Sequence, residues 1–121
     1  MPHPFEEFRA RRLAGNELVL KTENLGIKRL FSLDKITYED GVLSRRTKEL
    51  MGLTGSMVLR CNDCIDYHLD TCVQQGCSKE EIEEAFNIAL IIGGSIVIPH
   101  LRHAYESLAF LLAERAANTA G

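Results

Sequence analysis

No apolar run in this chain of 121 residues approaches the ~20 residues that a membrane-spanning helix needs. The longest, Ala89–Ile98, is broken by Gly93-Gly94. A secretory leader is also missing. Met1–Arg12 (MPHPFEEFRARR) is charged and mixed where a leader would carry a basic start, an apolar run and a small-residue cleavage site, so the expected location is cytoplasmic. There is no basic excess: 14 Lys+Arg stand against 17 Asp+Glu, a formal net charge of −3, which argues against a nucleic-acid partner. No repeat, low-complexity stretch or Pro/Gly/Ser-rich linker divides the chain. It is therefore read as one domain, residues 1–121, that hides roughly two-thirds of its unfolded surface. Four cysteines in a leaderless chain point to reduced thiols, a metal site or redox chemistry, and not to a disulfide framework. Apolar residues at 45% and charged residues at 26% are the balance of an ordinary globular protein.

Two-residue alternation bounded by hairpin turns is absent as well, and what remains is helical periodicity. Pro4 suits the first turn of a short helix carrying Phe5, Phe8 and Leu13, which Gly15 would end. A second short helix is expected near 23–33, followed by a turn at Asp40-Gly41. Ser44 can cap a helix to about Leu59 with Leu50, Leu53, Met57 and Val58 at helical spacing. The next helix starts near Cys61-Asn62-Asp63 and runs to Gln75, with Gly76 as its left-handed stop. Ser78-Lys79-Glu80-Glu81 has the form of a capping box. It opens a helix whose stripe is Ile82, Ala85, Phe86, Ala89 and Leu90. Beyond Gly93-Gly94 a long helix carries Leu101, Ala104, Tyr105, Leu108, Leu111 and Leu112, with Pro99 in its first turns. The fold class is all-α, a bundle of five to six helices.

Chemistry concentrates in Cys61-Asn62-Asp63-Cys64-Ile65-Asp66-Tyr67-His68, a Cys-x-x-Cys-x-x-x-His string at a helix start. Residues three apart on a helix have Cα atoms roughly 5 Å apart, inside the disulfide window of about 4.4–6.8 Å. Cys61 and Cys64 can therefore bridge with little backbone movement. His68 lies four residues past Cys64 and shares its face, where an imidazole can take the thiol proton and then hold the thiolate. Lowering a thiol pKa by two units from about 8.5 requires about 2.7 kcal/mol of preferential thiolate stabilisation. The helix dipole offers ~0.3–1 kcal/mol, or ~2 in partly buried geometry, so His68 is needed to make up the difference.

The alternatives are plainer. Cysteine is often a small buried hydrophobe, and a lone helical His is more often a satisfied core residue than a catalyst. Both readings weaken when two cysteines and an i+4 His share a helix start. Zinc is the sharper competitor, but Cys61, Cys64 and His68 supply only three of the four ligands of a closed site. Cys72 lies about 12 Å up the helix from Cys64. No metal and no cofactor are expected. Cys72 is read as core packing, and Cys77 as a spectator in the turn before the capping box.

The residues resemble a known superfamily at this point. Glu49 precedes Cys61 by twelve positions, giving Glu-x11-Cys-x-x-Cys-x-x-x-His over residues 49–68, and Gly76, Ser78 and Gly93-Gly94 follow. Together they look like the alkylhydroperoxidase D-like, carboxymuconolactone decarboxylase superfamily, over about residues 40–112. The resemblance implies an all-helical fold that assembles into trimers or hexamers. It implies that Cys64 attacks peroxide, Cys61 resolves the intermediate as a disulfide, and His68 relays the proton with Glu49 behind it. From its residues alone, Glu49 reads as one more solvated carboxylate in Arg45-Arg46-Thr47-Lys48-Glu49. The hydroperoxidase members carry a second His between the cysteines where this chain has Asp63. A carboxylate there cannot relay a proton in the same way, and its charge opposes thiolate formation.

The leading expectation is a thiol-dependent antioxidant oxidoreductase acting on a hydroperoxide or a partner disulfide, reset by a reductant protein or small thiol. The runners-up are a lyase acting on an aromatic-catabolism lactone, whose branch generally lacks the cysteine pair, and a non-catalytic helical oligomer that binds zinc or senses redox state. His100 and His103 are read as surface or packing residues that can also line the pocket. Ile88–Ile92, Ile96–Ile98 and Phe110–Leu112 are apolar enough to call for cover from a second copy.

Overall fold

A computed structural model describes residues 1–120. Among them every regular element is helical: α1 (Pro4–Leu20), α2 (Leu25–Thr37), α3 (Arg45–Val58), α4 (Asn62–Gln74), α5 (Lys79–Gly93), a 3-10 turn (Ser95–Val97) and α6 (Ile98–Ala120). The chain forms two compact units, Met1–Gly41 and Val42–Gly121, within the span read above as one domain.

In the first unit, Pro4 stands in the first turn of α1 and the His3 ring accepts the Phe5 N–H at 3.0 Å. Phe5 and Phe8 are buried with ring centroids 5.4 Å apart, and Arg9 lies over the Phe5 ring. Two expectations need correction. Gly15 does not end α1, which continues to Leu20. Glycine costs a helix roughly 0.5–1 kcal/mol relative to alanine but stops it only by turning left-handed, and Gly15 is not among the positive-φ residues. Leu13 is exposed and α2, placed near 23–33, spans Leu25–Thr37 behind an Asn24 cap.

The second unit follows the sequence closely. Ser44 caps α3 by accepting from the Thr47 N–H at 3.1 Å. Gly76 stands at φ 82° after α4. The Gly76 N–H donates to Val73 O at 3.1 Å and the Cys77 N–H to Cys72 O at 3.0 Å, the paired bonds of a Schellman ending. At the start of α5 the Ser78 hydroxyl accepts from the Glu81 N–H at 3.1 Å while the Glu81 carboxylate accepts from the Ser78 N–H at 2.9 Å. Arg46 pairs with the same carboxylate from α3. Gly94 ends α5 at φ 80°, and a Cβ on Gly93 would meet Val97 Cγ2 at 2.5 Å, so both glycines of the break are required.

Helix α3 packs on α4 and on α5, and α4 packs on α6. The core between them holds Leu53 and Met57, Ile65 and Leu69, Ile82 and Phe86, and Leu108 and Leu111, all essentially without exposure. Each such side chain contributes about 1.5–3 kcal/mol of hydrophobic stabilisation. Tyr105, assigned to the buried face of α6, instead sits at its margin. Its ring stacks edge-on against Phe86 at 5.2 Å and its hydroxyl donates to Glu83 at 2.7 Å.

Ser78→Ala is expected to cost about 1 kcal/mol, read as a lower urea midpoint. Hydrogen bonds from Ser78, and then the Arg46 charge, hold the Glu81 carboxyl below its usual range. A depressed carboxyl stabilises the fold above its unfolded pKa of about 4.3 and loses that contribution as pH falls through the folded value. The deficit of Glu81→Gln is therefore greatest at neutral pH and fades in acid.

Candidate functional site

Helix α4 begins at the sulfurs. Cys61 is its N-cap, with extended backbone, and its Sγ accepts the Cys64 N–H at 3.2 Å. Cys61 and Cys64 are joined as a disulfide with Cα atoms 5.2 Å apart, the separation that helix geometry gives for i and i+3. Cys64 is exposed and Cys61 half-buried. This arrangement places two sulfurs where unpaired N–H groups and the positive end of the dipole favour a thiolate once the bridge is reduced. Asp63, exposed in the first turn, offsets part of that field.

His68 follows one turn above Cys64 on the same stripe. It is 9% exposed, and its Nδ1 lies 2.8 Å from Glu49 Oε1, reaching across from α3. With the carboxylate as acceptor, Nδ1 is the donor of this bond. Glu49 has no exposed surface. Its second oxygen, Oε2, accepts no hydrogen bond among the described residues and has Arg45 Nε at 3.7 Å. Glu49 is thus not the solvated carboxylate that its local sequence suggested. It is a buried anchor that fixes the His68 ring, the arrangement by which enzymes set a base's tautomer.

A second pair of this kind was missed. Asp66, 5% exposed, accepts from His103 Nε2 at 3.0 and 2.9 Å and from the Ser107 hydroxyl at 2.6 Å, both on α6. His100, one turn earlier, lies 2.8 Å from Asn62 Oδ1. His100 and His103 therefore dock α6 onto the opening turns of α4, which is the packing role given to them. The signal for Asp66 was present: a carboxylate in line with Leu69 and Val73 on a stripe that is otherwise buried.

Cys72 is fully buried, as expected of core packing. Cys77, read as a spectator in its turn, is equally buried, because the Schellman turn folds it back toward Cys72. Elsewhere on the unit, a shallow groove of about 470 Å³ runs between α3 and α5, lined by residues including Leu50, Met51, Thr54, Ala85 and Ile88. None of Glu49, Cys61, Cys64 and His68 lines it.

With this geometry in hand, the model of the carboxymuconolactone decarboxylase family matches residues 27–107. The chain belongs to that family. A family member from Thermotoga maritima, tied provisionally to an antioxidative response, is 52% identical. The match covers 93% of this chain and 95% of that one, at a TM-score of 0.88. A Legionella pneumophila member at 23% identity has the same fold, with a TM-score of 0.81 over 88% of this chain and 96% of its own. An uncharacterized protein of the cox locus of Paracoccus denitrificans is 30% identical over 77 residues, 64% of this chain and 69% of the relative. The all-helical fold and the superfamily expected from the Glu-x11-Cys-x-x-Cys-x-x-x-His string both hold.

The buried pair yields a stability test. His68→Ala leaves the Glu49 carboxylate without its hydrogen-bond partner, a loss of about 1–3 kcal/mol or more. The double replacement Glu49→Leu/His68→Leu removes both polar groups and is expected to be less destabilised than His68→Ala. Urea denaturation of the three proteins gives the comparison.

Proposed function

We propose that this family member is a thiol-dependent antioxidant oxidoreductase that cycles between the Cys61–Cys64 disulfide and the dithiol. The observation that carries the reading is the disulfide at the N-terminus of α4, one turn below a His68 held by the buried Glu49. In the reduced enzyme, Nε2 of His68 takes the Cys64 proton and the thiolate attacks a hydroperoxide or a partner disulfide. With a hydroperoxide, an S–O bond forms on Cys64, the O–O bond breaks, and the alkoxide leaves as alcohol after taking the proton. Cys61 then attacks the sulfenic sulfur, water departs and the bridge closes. A reductant protein or small thiol returns two electrons to the bridge.

The exposure of Cys64 supports its role as attacking sulfur, and the half-buried N-cap position of Cys61 suits a resolving thiol. The antioxidative link of the Thermotoga relative points the same way. Asp63 in place of a relay histidine leaves His68 as the general base of this unit's first turns. Exposed Ile88, Ile91, Ile92 and Ile96 accord with assembly into a homo-oligomer.

Cleavage after Tyr67 separates the Cys61–Cys64 pair from Cys72 and Cys77, so each pair can be followed alone by mass spectrometry. One equivalent of hydroperoxide added to reduced protein is expected to close Cys61–Cys64. Cys61→Ser is expected to stop at a trappable sulfenic acid on Cys64, and Cys64→Ser to leave Cys61 a thiol. His68→Gln is expected to slow closure by about 100-fold, the scale of general base catalysis. Thiols at 61 and 64 that survive peroxide and also fail to exchange with a small disulfide would sink the proposal. A lyase reading predicts turnover indifferent to both sulfurs, so the same variants separate the two.

A further inference from the structure

We infer that Cys72 and Cys77 form a second redox site, a buried dithiol that a small hydroperoxide converts to an intramolecular disulfide independently of Cys61 and Cys64. The inference begins with the Schellman ending of α4. That motif brings the residue two beyond the helix cap against the one three before it, commonly through an apolar contact. Here the two positions are Cys77 and Cys72. The Cys77 N–H donates to Cys72 O at 3.0 Å, and both side chains are enclosed in the core. Gly76, at φ 82°, supplies the left-handed residue that the turn requires. Two alanines or valines would fill the same contact, so packing alone does not call for sulfur.

A cation beside the pair sets it apart from filler. The Arg46 guanidinium on α3 donates to Gly76 O, the residue before Cys77, at 3.5 Å and pairs with Glu81. A thiolate formed at Cys77 would lie directly against that charge. Cys72 stands on α4 itself, enclosed in the core. Burial first, then the charges of Cys77 and Glu49, push its thiol well above the ordinary range, so it stays protonated. With Cys72 held protonated, Cys77 is the nucleophile and Cys72 the resolving thiol.

The chemistry balances with the hydroperoxide as the sole oxidant. The Cys77 thiolate attacks hydrogen peroxide; an S–O bond forms, the O–O bond breaks, and the departing hydroxide takes the Cys77 proton to leave as water. Cys72 attacks the sulfenic sulfur; an S–S bond forms, the S–O bond breaks, and the hydroxyl leaves with the Cys72 proton as a second water. Each sulfur loses one electron and the peroxide oxygens gain the pair. Both sulfurs are buried, so the oxidant must be small.

The test uses the full chain with Cys61→Ser/Cys64→Ser, in which only Cys72 and Cys77 can react. Hydrogen peroxide is expected to remove both thiols and to leave a fragment lighter by two hydrogens. Cumene hydroperoxide is expected to act at least ten-fold more slowly. Arg46→Gln should slow the reaction at least ten-fold, whereas Glu81→Gln, which frees Arg46 from its ion pair but keeps the guanidinium, should not. Cys72→Ser should halt at a sulfenic acid on Cys77. Should the double serine variant fold poorly, the wild-type protein cleaved after Tyr67 reports the same pair. Thiols that persist in native protein, Cys77 oxidised without pairing, or Arg46→Gln reacting as fast as its parent would overturn the inference. These outcomes are read at residues 72 and 77, so they leave the proposal for Cys61 and Cys64 standing or falling separately.

Discussion

The hydrogen bond between His68 Nδ1 and Glu49 Oε1, 2.8 Å long and shut away from water, joins α3 to α4 at the level where the chemistry of this protein is concentrated. A carboxylate with no exposed surface is costly to bury, and it persists in a fold only where a partner offsets the lost hydration. Here the offset comes from an imidazole one turn above the exposed sulfur. The ring cannot rotate away without stranding the carboxylate. The position of the ring is therefore a property of the helix packing, one turn from the sulfurs at the head of α4.

Helix α4 is held on two sides by the same device. Glu49 reaches it from α3, and His103 and Ser107 reach its own Asp66 from α6. The apolar residues between these points, Ile65 and Leu69, are fully buried and supply most of the stabilisation. The polar pairs supply direction, because hydrophobic packing alone tolerates some helix rotation and a buried hydrogen bond does not. A helix clamped in this way presents the Cys61 N-cap and the Cys64 side chain in one orientation. At the opposite end of α4, Cys72 and, just beyond the helix, Cys77 are both enclosed in the core.

Local signals were legible wherever a single turn of backbone decides the outcome. Ser44 as a cap, the Ser78–Glu81 capping box, Gly76 as a left-handed stop and the Cys61–Cys64 spacing each depend on residues within four positions of one another. The misjudged elements fail for a matching reason. Gly15 reads as a helix end because glycine is poor within helices, yet its cost is smaller than the gain from continuing the helix to Leu20. Tyr105 follows the apolar spacing of α6 but keeps its hydroxyl in water, bonded to Glu83.

The chain by itself fixes helix boundaries, caps and the fact that two sulfurs and an imidazole share a stripe, since the 3.6-residue period and the orphan groups at helix ends act over one or two turns. Tertiary structure alone decides which carboxylates are buried and whom they meet. Glu49 and Lys48 are neighbours in sequence, and only the approach of α4 turns one inward to His68, nineteen positions away. Asp66 and His103, thirty-seven apart, meet by the same route. Cys77, in the turn after α4, is as fully enclosed as Cys72. Contacts across such separations depend on how three helices pack, and no periodicity along one helix encodes that.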